Sequence, residues 1–188
     1  MTGIYLYDKN IFEAVNNIKP SPRGELEISD AHQYLLDKGF DVSYSEITGW
    51  WKDTGKPSDL LDANRLVLDN IKSDFKGIVD ENSTVSGRVQ IGENSRVINS
   101  NIRGPSVIGD NTIIKESYIG PYSAIGKGCT ISGSEVEYSI IMDGCKINQV
   151  QRRIESSLLG NDVEILRSKT RPATHRFMLG DQSRIEIE

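Results

Sequence analysis

An isoleucine or valine returns every six residues through the middle of this chain, at Val79, Val85, Ile91 and Val97. The series continues at Ile102, Ile108 and Ile114, then at Ile119, Ile125 and Ile131. Between these runs the step shortens to five, so Val85, Ile102, Ile119 and Val136 stand 17 residues apart, as do Ser83, Ser100, Ser117 and Ser134. A 17-residue period leaves no room for helices between strands, so a doubly wound sheet is excluded. It fits a coil of three flat sides whose aliphatic residues point inward and stack on their counterparts one coil away.

Small residues follow the aliphatic ones by four positions: Ser95, Ser106, Thr112, Ser123, Cys129 and Cys145. Between them lie the segments IGENS, IGDNT, IGPYS and IGKGC, whose glycines and small polar residues suit sharp corners. The expected fold of residues 79–165 is a hexapeptide-repeat parallel β-helix, with Val85, Ile91, Ile102, Ile108, Ile119, Ile125 and Ile131 inward. The register is expected to break at SGSEVEYSII and resume at Ile141, Ile147, Leu159 and Ile165, with NQVQRRIESS bulging out. The final stretch, from Arg167 onward, reads as a tail covering the last coil, anchored by Phe177, Met178 and Leu179.

The front of the chain has a different rhythm. Residues 2–7 (TGIYLY) read as a buried strand. Asp8 is placed to cap a helix carrying Ile11, Val15 and Ile18, which Pro20 and Pro22 end. Ser29 or Asp30 is placed to cap a second helix with Ala31, Tyr34 and Leu35, closed by Gly39 in a left-handed conformation. Phe40, Val42 and Tyr44 alternate as a half-buried strand does. Beyond the loop GWWKDTG, with Trp50 and Trp51 expected one inward and one at a surface, Pro57 starts a third helix along Leu60, Leu61, Asn64, Val67, Leu68 and Ile71. Two strands and three helices are a poor complement for an α/β layer, so residues 1–75 read as the end of a larger α/β domain and 76–188 as the β-helix with its tail.

Composition narrows the function. The 188 residues carry a net charge of −5, which argues against nucleic-acid or anionic-membrane binding. Two cysteines are too few for a disulfide framework or a cysteine zinc site, so Cys129 and Cys145 read as small buried hydrophobes. With no signal peptide and no long apolar run, a cytoplasmic location is expected. His32 and His175, the two histidines, have no ligand or base spacing around them. Uncovered strands near Tyr5 and Tyr44, with the tryptophans, lead us to expect a homo-oligomer.

The blocks GIYLYD, SPRGELEISD and GWWKDTGKPSDLLDANRLVLD, in this order and followed by the coils and RPATHRFMLGD, resemble the sugar-1-phosphate nucleotidylyltransferases. The likeness is greatest to the long glucose-1-phosphate thymidylyltransferase type, and covers nearly the whole chain. It implies a left-handed β-helix behind the C-terminal part of a nucleotidyltransferase domain. It implies the substrates dTTP and glucose 1-phosphate, transfer of a thymidylyl group with release of pyrophosphate, and Mg²⁺ as cofactor. It places Arg23 and Tyr5 at the sugar phosphate, Trp51 in the pocket wall and Asp53 as one of two metal carboxylates. The family's glycine-rich loop GxGTRLxPxT, its first metal aspartate and its sugar-side lysine have no counterpart here, so no complete catalytic set is expected and the chain alone is expected to be inactive. A hexapeptide acyltransferase is the alternative, although such enzymes present a histidine from a coil as general base and residues 33–174 contain none. A purely structural oligomerisation module is the other.

Overall fold

A computed structural model describes residues 3–167, 174–181 and 183–187. The chain divides into two compact units, Met1–Asp53 and Thr54–Glu188.

The second unit opens with the helix α3 (Pro57–Leu68), begun by proline at its first position, and continues as a parallel β-helix. Three sheets of six, six and five strands form its sides, each strand two or three residues long. Phe75, Ile91, Ile108, Ile125, Ile141 and Leu159 pair in register along the first side. Val79, Val97, Ile114, Ile131, Ile147 and Ile165 form the second. Val85, Ile102, Ile119, Val136 and Ile154 form the third. The three sides meet in one axial core, where the inward Ile91, Ile108, Ile119, Ile131 and Ile147 are shielded from water while Val85, in the first coil, is half-buried.

The ladder is continuous where a break was expected. The step falls to five between Val136 and Ile141 and both side chains stay buried, so coils shorten without losing register. The surplus residues come between Ile147 and Ile154, where Arg153 returns to the wall and bonds to Glu135 and Glu137.

Corner chemistry is a hydroxyl ladder. Ser100 N–H donates to Ser83 Oγ at 3.0 Å, Ser117 N–H to Ser100 Oγ at 3.1 Å and Ser134 N–H to Ser117 Oγ at 3.2 Å. Thr112 N–H donates to Ser95 Oγ and Cys129 N–H to Thr112 Oγ1 at a second corner. Cys129 and Cys145 extend that corner, their thiols against the carbonyls of Met142 and Gly160, and burial pushes both thiols up.

The glycines of the IG pairs serve a purpose other than turning. The left-handed residue at these corners is two positions later: Asn94, Asn111, Tyr122 and Gly128. Gly109 is needed because a Cβ there would lie 2.6 Å from the Gly126 carbonyl carbon of the next coil.

α3 belongs with the coils in this division, although the sequence pattern puts its boundary near residue 75. Asn64 donates to the Tyr122 carbonyl at 2.9 Å, Tyr122 OH to Asp69 at 3.0 Å and Tyr138 OH to Asp62 at 3.2 Å. Leu61 and Leu68 are buried, while Leu60 and Val67 of the expected stripe stay exposed.

The first unit holds α1 (Asn10–Asn17) and α2 (Ile28–Asp37), packed through Ala14, Ala31 and Leu35. Lys9, not Asp8, is the N-cap of α1; Asp8 stands one residue earlier and accepts from the Asn10 N–H at 2.9 Å, while Gly39 has φ +79°. α2 starts before Ser29, with Glu27 at its N-cap, so neither Ser29 nor Asp30 caps it. Both expected strands are corrected. Residues 4–8 and 40–48 form no strand, and Ile4 and Tyr44 are 85% and 93% exposed. A strand needs a paired neighbour, and among the described residues neither segment has one. Trp50 and Trp51 are both about half exposed, so neither is an inward packing residue. Phe177, Met178 and Leu179 are exposed, Met178 at 97%, so they anchor no cap; Arg171–Ala173 of that motif lie outside the described residues.

Candidate functional site

Arg23 stands at the tip of a turn that the sequence SPRG specifies. Pro22 presets φ at the second turn position, and the Gly24 N–H closes the turn onto the Ser21 carbonyl at 2.8 Å. Gly24, at φ +80°, then lets the chain double back so that Ser21 N–H meets the Glu25 carbonyl at 2.8 Å.

The guanidinium is held. Arg23 Nε and Nη2 both donate to Glu27 Oε1, at 3.2 and 2.7 Å, and Ser21 Oγ donates to the same oxygen at 2.8 Å. These bonds raise the Arg23 pKa and hold the Glu27 carboxyl below its ordinary range, the Arg23 hydrogen bond first and Ser21 second. Such an arginine can meet a phosphate with the N–H groups it has left.

Tyr5 is set by two rings. It stacks on Tyr7 with centroids 6.0 Å apart and lies 5.4 Å from His32 of α2. Tyr7 OH and His32 Nε2 are 2.6 Å apart, which ties residues 5–7 to that helix. Trp51 and Asp53 lie exposed in the loop after Gly49, whose φ is +104°. Among the described residues, no hydrogen bond or ring contact joins Tyr5, Arg23, Trp51 and Asp53 to one another.

Nor do three His, Cys, Asp or Glu side chains converge among the described residues as a metal site. Magnesium takes about six oxygen ligands in strict octahedral geometry, so Asp53 alone does not make its site.

Ser21, Glu27, Tyr7 and His32 were missed as parts of this arrangement. The Arg-x-x-x-Glu spacing of RGELE was the available signal for one pair; nothing local to the sequence brings Tyr7 to His32, 25 residues on.

The nucleotidyl transferase family model matches residues 1–70. Glucose-1-phosphate thymidylyltransferases of Streptomyces antibioticus and Streptomyces griseus are 47% and 46% identical to this chain along all of it. The chain is homologous to the sugar-1-phosphate nucleotidyltransferases. It spans 52% of the length of each of those two relatives. A bifunctional sugar-1-phosphate nucleotidylyltransferase/acetyltransferase of Sulfurisphaera tokodaii is 38% identical over 86% of the chain and 41% of its own length. Homology to these nucleotidyltransferases therefore runs from the Arg23 turn into the coils.

Proposed function

We propose that this chain supplies the sugar-phosphate side of a thymidylyltransferase, acting on glucose 1-phosphate and dTTP. The carrying observation is the 47% identity to a glucose-1-phosphate thymidylyltransferase over the whole chain, with Arg23 oriented at a turn tip. In this reading Arg23 and Tyr5 meet the sugar phosphate while Trp51 walls the pocket. A phosphate oxygen of glucose 1-phosphate attacks the α-phosphorus of dTTP in line, and pyrophosphate leaves. Asp53 would hold Mg²⁺ through its carboxylate together with phosphate oxygens of the substrates, and the ion would neutralise charge between them. The location that suits such substrates is the cytoplasm.

The test is coupled pyrophosphate release with dTTP, glucose 1-phosphate and Mg²⁺. The chain alone should give background, because loss of even one preorganised group typically costs about 10²–10³ in rate. Fused behind the first half of the Streptomyces antibioticus relative it should turn over, and Asp53→Asn should abolish that turnover. Turnover by the chain alone would overturn the reading.

Acyl transfer is the second reading, favoured by the name of the Sulfurisphaera relative and opposed by coils without histidine. Release of thiol from acetyl-CoA with an amino-sugar phosphate would establish it. We further propose self-association, supported by the exposed Ile4, Leu6, Tyr44, Trp50 and Trp51. Sedimentation as a clean monomer with those residues protected from hydrogen exchange would contradict it.

A further inference from the structure

We infer that Glu27 is a positioning residue, which holds the Arg23 guanidinium by one edge so that its other edge is presented to the phosphate of the sugar. The inference rests on the placing of Arg23 at the sugar phosphate proposed above.

The geometry is unlike an ordinary surface ion pair. Arg23 lies on a turn and Glu27 at the N-cap of α2, so the pair bridges two elements instead of running along one helix. One oxygen, Glu27 Oε1, collects three donors, from Ser21 Oγ, Arg23 Nε and Arg23 Nη2. Ser21 holds the carboxylate from behind and, through Oγ, also receives the Arg23 backbone N–H at 3.3 Å. The Arg23 side chain is 71% exposed and that of Glu27 only 26%, so the carboxylate is the fixed end and the arginine the presented one.

A guanidinium has five N–H groups, of which Glu27 takes one on Nε and one on Nη2. Glu25 Oε2 lies 3.9 Å from Nη2, an ion-pair distance longer than a hydrogen bond, so the edge bearing Nη1 and the second Nη2 hydrogen keeps the parallel pair of donors that a phosphate accepts bidentately. Two effects of Glu27 then oppose each other. Its charge offsets that of Arg23, which weakens attraction for an anion; its hydrogen bonds fix the fork, which strengthens bidentate binding. At an exposed site water and salt screen the first effect, so orientation wins.

The test is an NMR titration of the chain with glucose 1-phosphate, following the Arg23 Nε–H signal. In the wild type that signal should be resolved and should move with ligand. Glu27→Gln should weaken apparent affinity at least five-fold, and Ser21→Ala less, with the backbone amide spectrum of α1 and α2 unchanged. A merely structural role for Glu27 would move that amide spectrum and leave affinity alone. Affinity equal to or tighter than wild type in both variants, with loss in Arg23→Ala, overturns the positioning role and leaves Arg23 at the phosphate. Wild-type affinity in Arg23→Ala, or an Arg23 signal that ignores ligand, overturns both.

Discussion

Single hydroxyls decide how firmly the corners hold. Ser117 Oγ donates to the Lys115 carbonyl at 2.6 Å and accepts the Ser134 N–H at 3.2 Å. Ser117→Ala strands that buried N–H and should cost about 1–3 kcal/mol. Ser106 and Ser123 are buried more deeply than Ser117, yet their Oγ atoms have no partner among the described residues. Ser106→Ala should therefore be neutral or stabilising in urea denaturation; equal losses at Ser106 and Ser117 would show that the ladder bonds are not what holds the corners. Glu27 has a pH signature. Its folded pKa is depressed, so its contribution is present above the unfolded value of about 4.3 and disappears as pH falls through the lower folded value. The protection of the Ala31 and Leu35 amides, taken as exchange relative to the intrinsic rate at each pH, should fall from pH 5 to pH 3 in the wild type and change less in Glu27→Gln. The opposite ordering would contradict the shift.

Elements form here for two different reasons, and the sequence shows them unequally. The sides of the β-helix are local in sequence: an aliphatic residue about every sixth position names both its side and its partner one coil away. That is why Ile102, Ile119 and Val136 were placed correctly from spacing alone. Ile119→Asp buries a lone charge in the axial core and should cost at least roughly 3–5 kcal/mol. The corners were less legible, because a glycine has two uses that a sequence does not distinguish. Gly109 meets backbone of the next coil and Gly128 meets nothing, but has φ +65°. Gly109→Ala should cost about 1–3 kcal/mol through overpacking, and Gly128→Ala about 1–2 kcal/mol through left-handed strain. A crystal structure should show the coil displaced in the first variant and unmoved in the second. In the first unit the pattern misled: GIYLY and the Phe40–Tyr44 segment have strand composition, but a strand exists only when another chain segment pairs with it. The Arg23–Glu27 pair, four residues apart, had a local signal in RGELE, whereas Tyr7 and His32 meet across 25 residues, a distance that only folding closes.

At the scale of the molecule, the stack of coils carries its own core, and residues 3–53 carry the Arg23 turn for which we propose a phosphorylated sugar. The division predicts how kinetic damage should distribute. In the fusion with the first half of the Streptomyces antibioticus relative, the measurement is KM for each substrate in wild type and Arg23→Ala. The account predicts KM for glucose 1-phosphate raised at least ten-fold, with KM for dTTP within two-fold of wild type. An unchanged KM for glucose 1-phosphate, or equal rises for both substrates, would contradict it.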